Sequence, residues 1–517
     1  MKTMRHLRLW ALLGAAGTAC AITPALAQDS LLDPQGAEQA PQIVTRDWPA
    51  LFVPAAAPAN ATPHRQAKAW TAMTPNLSVL ASVGIGDTLV LNCSATETFT
   101  LVVTHVEHRA DNDFSVRGRL KGFEDSSALF AVMDDALACD ITAPPAGIHY
   151  KTKYGADGVH FICEMDDDKY APCAGSKTGG IGPDDEDFEP EPGEAEGIDP
   201  NDSGGRAETG TCSAPLVVFD AMIVYSNVAR TDAGGTSAIQ AECQLAIDRT
   251  NESYENSPIS ARMRLVRRYE VTYDEVGTYE DHLDRLTGTN GMGGSGIWPG
   301  IRSNRDTFNA DFCTLWVDDG AYCGLAWCTS AANRGYSVVT WDCAAGNLSH
   351  PHEIGHNQGC AHDPDNDGGG CGAYSYSFGH RFFGTNGTQY RTVMAYSPGT
   401  RIPYFSNPNV TYQGTATGTT TRRNEDTIEN RKATCEGFES TRWDIWVDFS
   451  YGGPFEFGFF SFPYNTVTEG VTNIDDWVSG ASEYPNLYIF EGSSSWTGTI
   501  SKTMDIRACG GPVTIGQ

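Results

Sequence analysis

Basic side chains are scarce in this sequence of 517 residues, which has 35 Lys and Arg against 65 Asp and Glu. The formal net charge of −30 argues against nucleic-acid binding and against attachment to anionic lipids, because both depend on neutralising phosphates. Long apolar runs are also lacking: after the N-terminal segment no stretch approaches the roughly 18 apolar residues of a membrane-spanning helix. Apolar residues still make up 40% of the chain, so packed cores are expected and wholesale disorder is excluded.

The first residues have the pattern of an export signal. Lys2, Arg5 and Arg8 form a basic start, a short apolar stretch follows over residues 9–22, and Ala25-Leu26-Ala27 supplies small residues for cleavage. The sequence therefore predicts a secreted protein from which residues 1–27 are removed.

An acidic segment divides the remaining chain. Residues 184–202 contain ten acidic side chains and no basic one, which is typical of an extended, solvated linker. Runs of alternating apolar and polar residues precede it, mixed strand and helix patterns follow it, and the tail is rich in aromatic residues, Gly, Ser and Thr. We predict an α+β multidomain protein with a β-rich propeptide (28–182), a linker (183–211), a catalytic domain (212–440) and a β-rich C-terminal extension (441–517) that is a candidate for binding a surface or matrix.

One segment carries the chemistry, the stretch from His352 to His362 with the pattern HExxHxxGxxH. Residues four apart share a helix face, so His352 and His356 can bind one ion, and Gly359 permits the turn that returns His362 as a third ligand. Three protein ligands leave a fourth position open, which is typical of a catalytic zinc. Glu353 is then the expected general base, which takes a proton from zinc-bound water as that water attacks a peptide carbonyl.

This zinc motif, followed by Thr392-Val-Met394-Ala-Tyr396, resembles the metzincin family of zinc endopeptidases. The resemblance implies a mixed twisted sheet, an active-site helix and a Met-turn in which Met394 lies beneath the zinc ligands. It also implies that Tyr396 ligates zinc at rest or hydrogen-bonds the oxyanion; a tyrosine packed with its hydroxyl satisfied is the alternative. The segment Gly324-Leu-Ala-Trp327 resembles the edge strand on which metzincins bind an extended substrate.

Within that family, the stretches 390–396 and 401–410, with Asp363 after the third histidine, are similar to the bacterial peptidyl-Asp metalloendopeptidase branch. This resemblance implies a secreted zymogen that acts on protein or peptide substrates and cuts on the amino side of Asp and, less readily, Glu. A pocket for an acidic side chain needs a cation, and Arg391 and Arg401 flank the Met-turn. Two alternatives stay open: an astacin- or reprolysin-like endopeptidase without acid preference, and a surface-binding protein with an inactive metalloprotease fold.

Three further features lie around the motif. Pro351 fits only the first turn of a helix, so the active-site helix must start late or be kinked, and His350 is expected at the surface or behind a zinc ligand. Asp363-Pro-Asp365-Asn-Asp367 has the spacing of half a calcium loop but lacks its final Glu, so a looser Ca²⁺ site is the alternative to a plain turn.

Removal of Cys20 with the signal leaves 14 cysteines, an even number that predicts disulfides in an oxidising compartment. The four cysteines before the linker can pair among themselves. This parity argues against a propeptide thiol at the zinc, for which Cys173 is the candidate.

Overall fold

The computed structural model describes residues 48–177, 216–328, 334–367, 371–439 and 443–516, apart from 454, 461 and 483. The predicted signal peptide and the predicted acidic linker lie outside the described residues. None of the helices in the described part is both long enough and apolar enough to cross a membrane.

The region before the predicted linker is a nine-stranded antiparallel sheet, because its alternating sequence gives each strand one apolar face. Its elements are β1 (Phe52–Pro54), β2 (Ala67–Pro75), α1 (Leu77–Leu80), β3 (Thr88–Asn92), β4 (Thr98–Ala110), β5 (Asp113–Leu120), β6 (Ser127–Met133), β7 (Ala136–Ala143), β8 (Ile148–Ala156) and β9 (Val159–Met165). Their order across the sheet is β1-β2-β9-β8-β7-β6-β5-β4-β3. A two-residue strand, β10 (Ser176–Lys177), follows this sheet and joins the next one.

The second sheet is mixed, as predicted, and its central strands are buried on both faces. The elements from this sheet to the active-site helix are β11 (Val217–Ser226), α2 (Asn227–Ala233), α3 (Thr236–Asn256), β12 (Ala261–Val271), α4 (Tyr279–Thr287), α5 (Trp298–Thr307), β13 (Phe312–Val317), β14 (Gly324–Trp327), β15 (Tyr336–Thr340) and α6 (Ser349–Asn357). The sheet order is β10-β14-β15-β13-β11-β12, with β14 antiparallel to β15 and the other pairs parallel. Without the two-residue strand β10, β14 would therefore be the edge strand of this sheet.

Short strands and one helix complete this part: β16 (Arg381–Phe383), β17 (Gln389–Arg391), β18 (Thr400–Arg401), β19 (Thr411–Tyr412), β20 (Thr415–Ala416) and α7 (Asn424–Glu436). The C-terminal part has a three-stranded parallel sheet and one helix: β21 (Asp444–Val447), α8 (Val467–Asn473), β22 (Asn486–Ser494) and β23 (Asp505–Ile515).

Helix α3 joins the two large sheets, because it packs against β6 and β7 on one side and against β12 on the other. Apolar residues from β6, β7 and α3 share one buried cluster. Ion pairs also cross this boundary: Arg65–Asp342, Arg117–Glu255, Lys151–Glu242, Lys153–Asp232, Asp140–Arg249 and Asp113–Arg268. The N-terminal sheet is thus docked on the mixed sheet through a surface that is both apolar and charged.

Disulfides join Cys323 to Cys343 and Cys328 to Cys371. The disulfide prediction is confirmed for these four cysteines. The expected pairing among the four cysteines before the linker is wrong, since all four are free thiols: Cys93, Cys139, Cys163 and Cys173. An even count therefore does not determine pairing here, because buried thiols pack as small apolar groups without a partner.

Candidate active site

The active-site helix begins where the sequence allows it. Helix α6 starts at Ser349, so Pro351 lies in the first turn, where a missing N–H costs no helical hydrogen bond. Leu348 precedes the helix with a φ of 56° and accepts a hydrogen bond from the His352 N–H. All nine residues of the helix are buried, so packing around the helix fixes which of its side chains point into the cleft.

His350 is not at the surface, contrary to one of the two positions expected for it. Its side chain is fully buried, and its ring lies 6.4 Å from that of Trp316. Neither ring nitrogen has a hydrogen-bond partner among the described residues, and burial lowers the pKa of His350 to about 3. It is a neutral packing residue beside the histidines of the motif.

Three imidazoles meet at one point. His352 and His356 lie one helical turn apart, and Gly359 has a φ of 93°, which turns the chain so that His362 returns to them. The Nε2 atom of His362 lies 3.2 Å from that of His352 and 2.9 Å from that of His356. The structure therefore brings together the three predicted metal ligands.

The chemistry of this group fits a divalent cation. His352 Nδ1 lies 2.8 Å from the carbonyl oxygen of Val393, and His356 Nδ1 lies 2.9 Å from that of Cys360, so each Nδ1 carries the proton. Their Nε2 atoms then present lone pairs to one another at close range, which is repulsive unless a cation lies between them. Burial and neighbouring positive charge lower the pKa of both residues, and burial lowers the pKa of His362 to about 4. Three neutral imidazoles are the ligand set of catalytic zinc.

Glu353 lies beside the histidines and is fully buried. Burial raises the pKa of this carboxyl to about 8, against the opposing effects of Cys173 and Arg401. Strand β14 makes room for it, because a Cβ at Gly324 would overlap Glu353 Oε1. A glycine at this position of the edge strand was not identified from the sequence, where a small residue in a short strand has many explanations.

Met394 lies directly under α6. It is fully buried, and a Cβ on Gly355 would lie 2.5 Å from its Sδ atom. The residue before it, Val393, supplies the carbonyl that orients His352. The turn at Met394 thus has the position that the sequence resemblance implies.

Tyr396 faces the cleft. Its ring centroid lies 4.2 Å from that of His362, and its hydroxyl donates to the backbone carbonyl of Cys173 at 3.3 Å. Its own N–H donates to Asp363 at 3.0 Å, which links the Met-turn to the loop after the third histidine. The hydroxyl can therefore form hydrogen bonds with backbone groups in the cleft that belong to other parts of the chain, as it does with Cys173.

The loop after His362 is closed by an ion pair. Arg381 contacts the carboxylates of both Asp363 and Asp365, at 2.8 and 2.5 Å. Asn366 adds a hydrogen bond to Asp363. Arg381 thus supplies the positive charge that a Ca²⁺ ion would supply to Asp363 and Asp365. This contact favours a plain turn over a calcium site.

Cys173 reaches the histidines, against the parity argument. Its Sγ atom and ring nitrogens of His352, His356 and His362 all lie within 4.8 Å of one another. The thiol donates to Glu353 Oε1 at 3.2 Å. Parity misled the sequence interpretation because it assumed that free cysteines would be few.

The chain around Cys173 lies along strand β14. Ala174 N–H donates to Gly324 O at 2.8 Å, and Cys328 N–H donates to the carbonyl of Lys177 at 3.1 Å. Strand β10 runs parallel to β14. The edge strand predicted to bind substrate is therefore covered by residues of the N-terminal region.

A cavity of about 670 Å³ opens beside Cys173 and Tyr396. Arg391 and Arg401 line it together with the turn 396–400, and His149 and Asp167 of the N-terminal region line it as well. Arg391 donates to the backbone carbonyls of Gly399 and Ala395, and Arg401 donates to those of Asn347 and Ala395. Both guanidiniums are thus held by neutral acceptors, and burial together with the charge of Arg401 lowers the pKa of Arg391.

Comparison with known proteins agrees with this geometry. Residues 217–406 match the family model Reprolysin_5, described as metallo-peptidase family M12. A peptidyl-Asp metalloendopeptidase of Stenotrophomonas maltophilia (strain K279a) is 36% identical over 222 residues, 42% of this chain and 52% of that protein. One of Xanthomonas campestris pv. campestris is 34% identical over 244 residues, 46% of this chain and 56% of that protein. A protein with the same name from Pseudomonas fragi is 29% identical over 37% of this chain and 99% of its own length.

The chain spans about half the length of the first two relatives. A solved structure titled "Structure of a chaperone-substrate complex" aligns with 44% of this chain and 36% of its own chain at 18% identity. Its TM-score of 0.34 is too low to indicate a shared fold. The three converging histidines, the buried glutamate and the family match together support a metzincin-like zinc metallopeptidase domain over residues 217–406.

Proposed function

We propose that this protein is a secreted zinc-dependent endopeptidase that cuts on the amino side of Asp and Glu. The observation that carries the proposal is the meeting of three neutral imidazoles with the buried carboxyl of Glu353. His352, His356 and His362 hold the zinc ion, and Met394 supports them from below.

A bound zinc ion would polarise the scissile carbonyl and make a water molecule more acidic. Glu353 takes the proton of the attacking water and passes it to the leaving amine. Burial favours the neutral form of this carboxyl and so favours its taking up a proton. The hydroxyl of Tyr396 lies on the cleft side and can donate to the developing oxyanion.

Acid specificity follows from the two arginines of the cavity. Arg391 and Arg401 place two positive charges side by side on backbone carbonyls, an arrangement that an entering carboxylate stabilises. Asp167 of the N-terminal region also lines this cavity, and its charge and that of Arg391 act on each other. The relatives' printed name, peptidyl-Asp metalloendopeptidase, agrees with a pocket for an acidic side chain.

The experiment is digestion of a proteome-derived peptide library by the zinc-loaded protein, read by mass spectrometry, with Glu353→Ala and a chelated sample as controls. Cuts clustered before Asp, absent in both controls, support the proposal. Arg391→Gln should lower the ratio of Asp to Leu after the cut by tenfold or more. Arg381→Gln, which alters an arginine of strand β16 that contacts Asp363 and Asp365, should lower it less.

Control-sensitive cuts before apolar residues would keep the endopeptidase and remove the acid pocket. The absence of any cut that depends on Glu353 would favour the binding protein with an inactive fold.

We further propose that the N-terminal region is an inhibitory propeptide. Cys173 lies at the histidines and β10 covers β14, so a substrate cannot pair with this edge while the segment is present. The segment also runs opposite to the proposed substrate. Its acid on the Arg391 side, Asp167, precedes the residue at the histidines, whereas the acid of a substrate follows the bond that is cut. Such a reversed segment blocks the cleft without presenting a cleavable bond to Glu353.

A further inference from the structure

Lys177 occupies a fixed position on the edge of the substrate cleft. It pairs with Trp327 in the register of β10 and β14, and Ser176 pairs with Ala326. Any extended peptide that pairs with this edge must place a side chain near Trp327, because side chains alternate regularly along a strand. The surroundings of Lys177 therefore describe what this position of the cleft accepts.

Those surroundings suit a cation. Lys177 Nζ lies 2.5 Å from Asp284 Oδ1 and 5.3 Å from the centroid of the Trp327 ring. The side chain of Asp284 is only 7% exposed, and Trp327 is buried. A buried carboxylate needs a positive partner, and an aromatic face adds attraction for an ammonium or guanidinium group. The guanidinium of Arg334 lies 5.6 Å from the same ring, so this tryptophan already serves as a platform for cations.

The carboxylate is held in place by residues of its own domain. Thr289 Oγ1 donates to Asp284 Oδ1 at 2.8 Å, and Asn290 Nδ2 donates to Asp284 Oδ2 at 2.8 Å. Burial disfavours the charged form of Asp284, but the hydrogen bonds from Lys177, Asn290 and Thr289 outweigh it and lower its pKa. Because Thr289 and Asn290 do not belong to the N-terminal region, they keep this carboxylate oriented when that region leaves.

We propose that Asp284 and Trp327 form a substrate subsite for a basic side chain. This inference rests on the proposed function, which places the acidic residue of the substrate at Arg391. Along the N-terminal segment, Asp167, whose charge acts on Arg391, precedes Cys173 at the histidines, and Lys177 follows it.

Strand β14 advances by three residues, about 10 Å, from Gly324, which lies against Glu353, to Trp327, the partner of Lys177. The subsite therefore reads the third or fourth residue before the scissile bond, and the preferred substrates carry Lys or Arg there and Asp after the bond.

The test uses the full-length chain, purified with zinc and processed to its active form on secretion. Quenched fluorescent peptides share Asp after the scissile bond and differ only in having Lys, norleucine or Glu at the third and fourth positions before it. We expect kcat/KM to be at least tenfold higher for Lys than for norleucine, and lower still for Glu.

Asp284→Asn should reduce the Lys to norleucine ratio to near one, whereas Glu280→Gln, which removes an exposed charge from the same helix, should leave it unchanged. Asp284→Lys should reverse the preference toward Glu. Each comparison is a ratio within one variant, so a variant with less folded protein remains informative.

Equal rates for the three peptides in the wild-type protein, or a Lys preference that survives Asp284→Asn, would overturn the subsite. In that case Asp284 serves only to hold Lys177 of the N-terminal region. Failure of the proposed acid specificity has a different signature: peptides with Asp and with Leu after the bond are then cut at equal rates, whatever the residue before it.

Discussion

At the scale of single residues, the site depends on groups that restrict the tautomer, orientation or position of the catalytic side chains. Backbone carbonyls of Val393 and Cys360 fix the tautomers of two histidines, so that their lone pairs converge. Gly324 leaves the space that Glu353 fills, and Gly355 lets Met394 approach the helix. None of these four contributes a functional group to the reaction, yet each determines where one lies.

Gly324→Ala should inactivate the enzyme, because its Cβ would overlap Glu353 Oε1. Displacement of a general base by about 1 Å can lower the rate on the order of 100-fold. We expect a loss of that size in kcat/KM with zinc content unchanged, measured by peptide hydrolysis and metal analysis. Gly300→Ala is the matched control, since its Cβ would enter open space on helix α5. Full activity of Gly324→Ala would show that Glu353 lies elsewhere in the working enzyme.

At the scale of elements, the cleft is made by helix α6, edge strand β14 and the turn at Met394, and strand β10 closes it. An exposed edge strand pairs readily with another chain, which is why it can serve as a substrate platform and must be covered in a latent form. In this structure the cover belongs to the same chain, and its thiol lies at the histidines. The proposed latency and the proposed substrate site therefore use the same backbone groups.

Cys173→Ala should shorten the lag before activity appears in the full-length chain. The substitution removes the thiol that lies at the histidines and donates to Glu353, while the pairing of β10 with β14 remains. The measurement is the time course of peptide hydrolysis after zinc is added to the unprocessed chain. Cys163→Ala, which changes a free buried thiol of the N-terminal sheet, should keep the wild-type lag. Identical lags for all three proteins would remove Cys173 from the latency mechanism.

At the scale of the whole molecule, charge holds the N-terminal sheet on the mixed sheet. Asp140 of β7 contacts Arg249 of α3 at 2.7 Å, and both are almost fully buried. His149 contacts the same Asp140 at 3.0 Å and Asp167 at 2.5 Å. Because buried charges are costly without partners, separation of the two sheets must expose or neutralise all of these groups.

His149, which contacts two acids of its own N-terminal region, makes the stability of the folded chain dependent on pH. Burial lowers its pKa, but the charges of Asp167 and Asp140 and their hydrogen bonds outweigh burial and raise it to about 9. A raised pKa stabilises the folded state fully below the ordinary value of about 6.5, and this contribution disappears as the pH rises through about 9. We expect it to be about 3 kcal/mol at pH 6, from the difference between pKa values of about 9 and about 6.5.

The measurement is the difference in Tm between the full-length wild-type chain and His149→Gln. The wild type should be the more stable at pH 6, and the difference should shrink toward zero by about pH 9.5. A difference that stays constant across this range would contradict the charge of His149.

Removal of Arg249 addresses the same boundary. Arg249→Gln should lower the free energy of unfolding of the full-length chain by about 3–5 kcal/mol, because Asp140 would stay buried without its main partner. Denaturant unfolding gives this value, and Asp140→Asn in the same background should recover part of the loss. Arg117→Gln, at a more exposed ion pair of the same boundary, should cost less than about 1 kcal/mol.

The sequence by itself determined the features that depend on local spacing. Residues four apart on a helix face, a glycine that permits positive φ and a proline confined to the first turn specify the imidazole cluster without reference to distant residues. Alternating apolar runs likewise predicted the strands before the linker, because a strand buried on one face alternates apolar and polar residues. Continuous apolar runs predicted the buried strands after it, because a strand buried on both faces is apolar throughout.

Only the tertiary structure decided which distant groups meet. The approach of Cys173 to the histidines, the contact of Lys177 with Asp284 and the electrostatic interaction of Asp167 with Arg391 join residues separated by more than one hundred positions. No period or spacing encodes such contacts, because they arise from how the N-terminal sheet docks on α3 and how β10 pairs with β14. Cysteine parity failed for the same reason, since whether a thiol pairs depends on which other thiol folding brings within bonding distance.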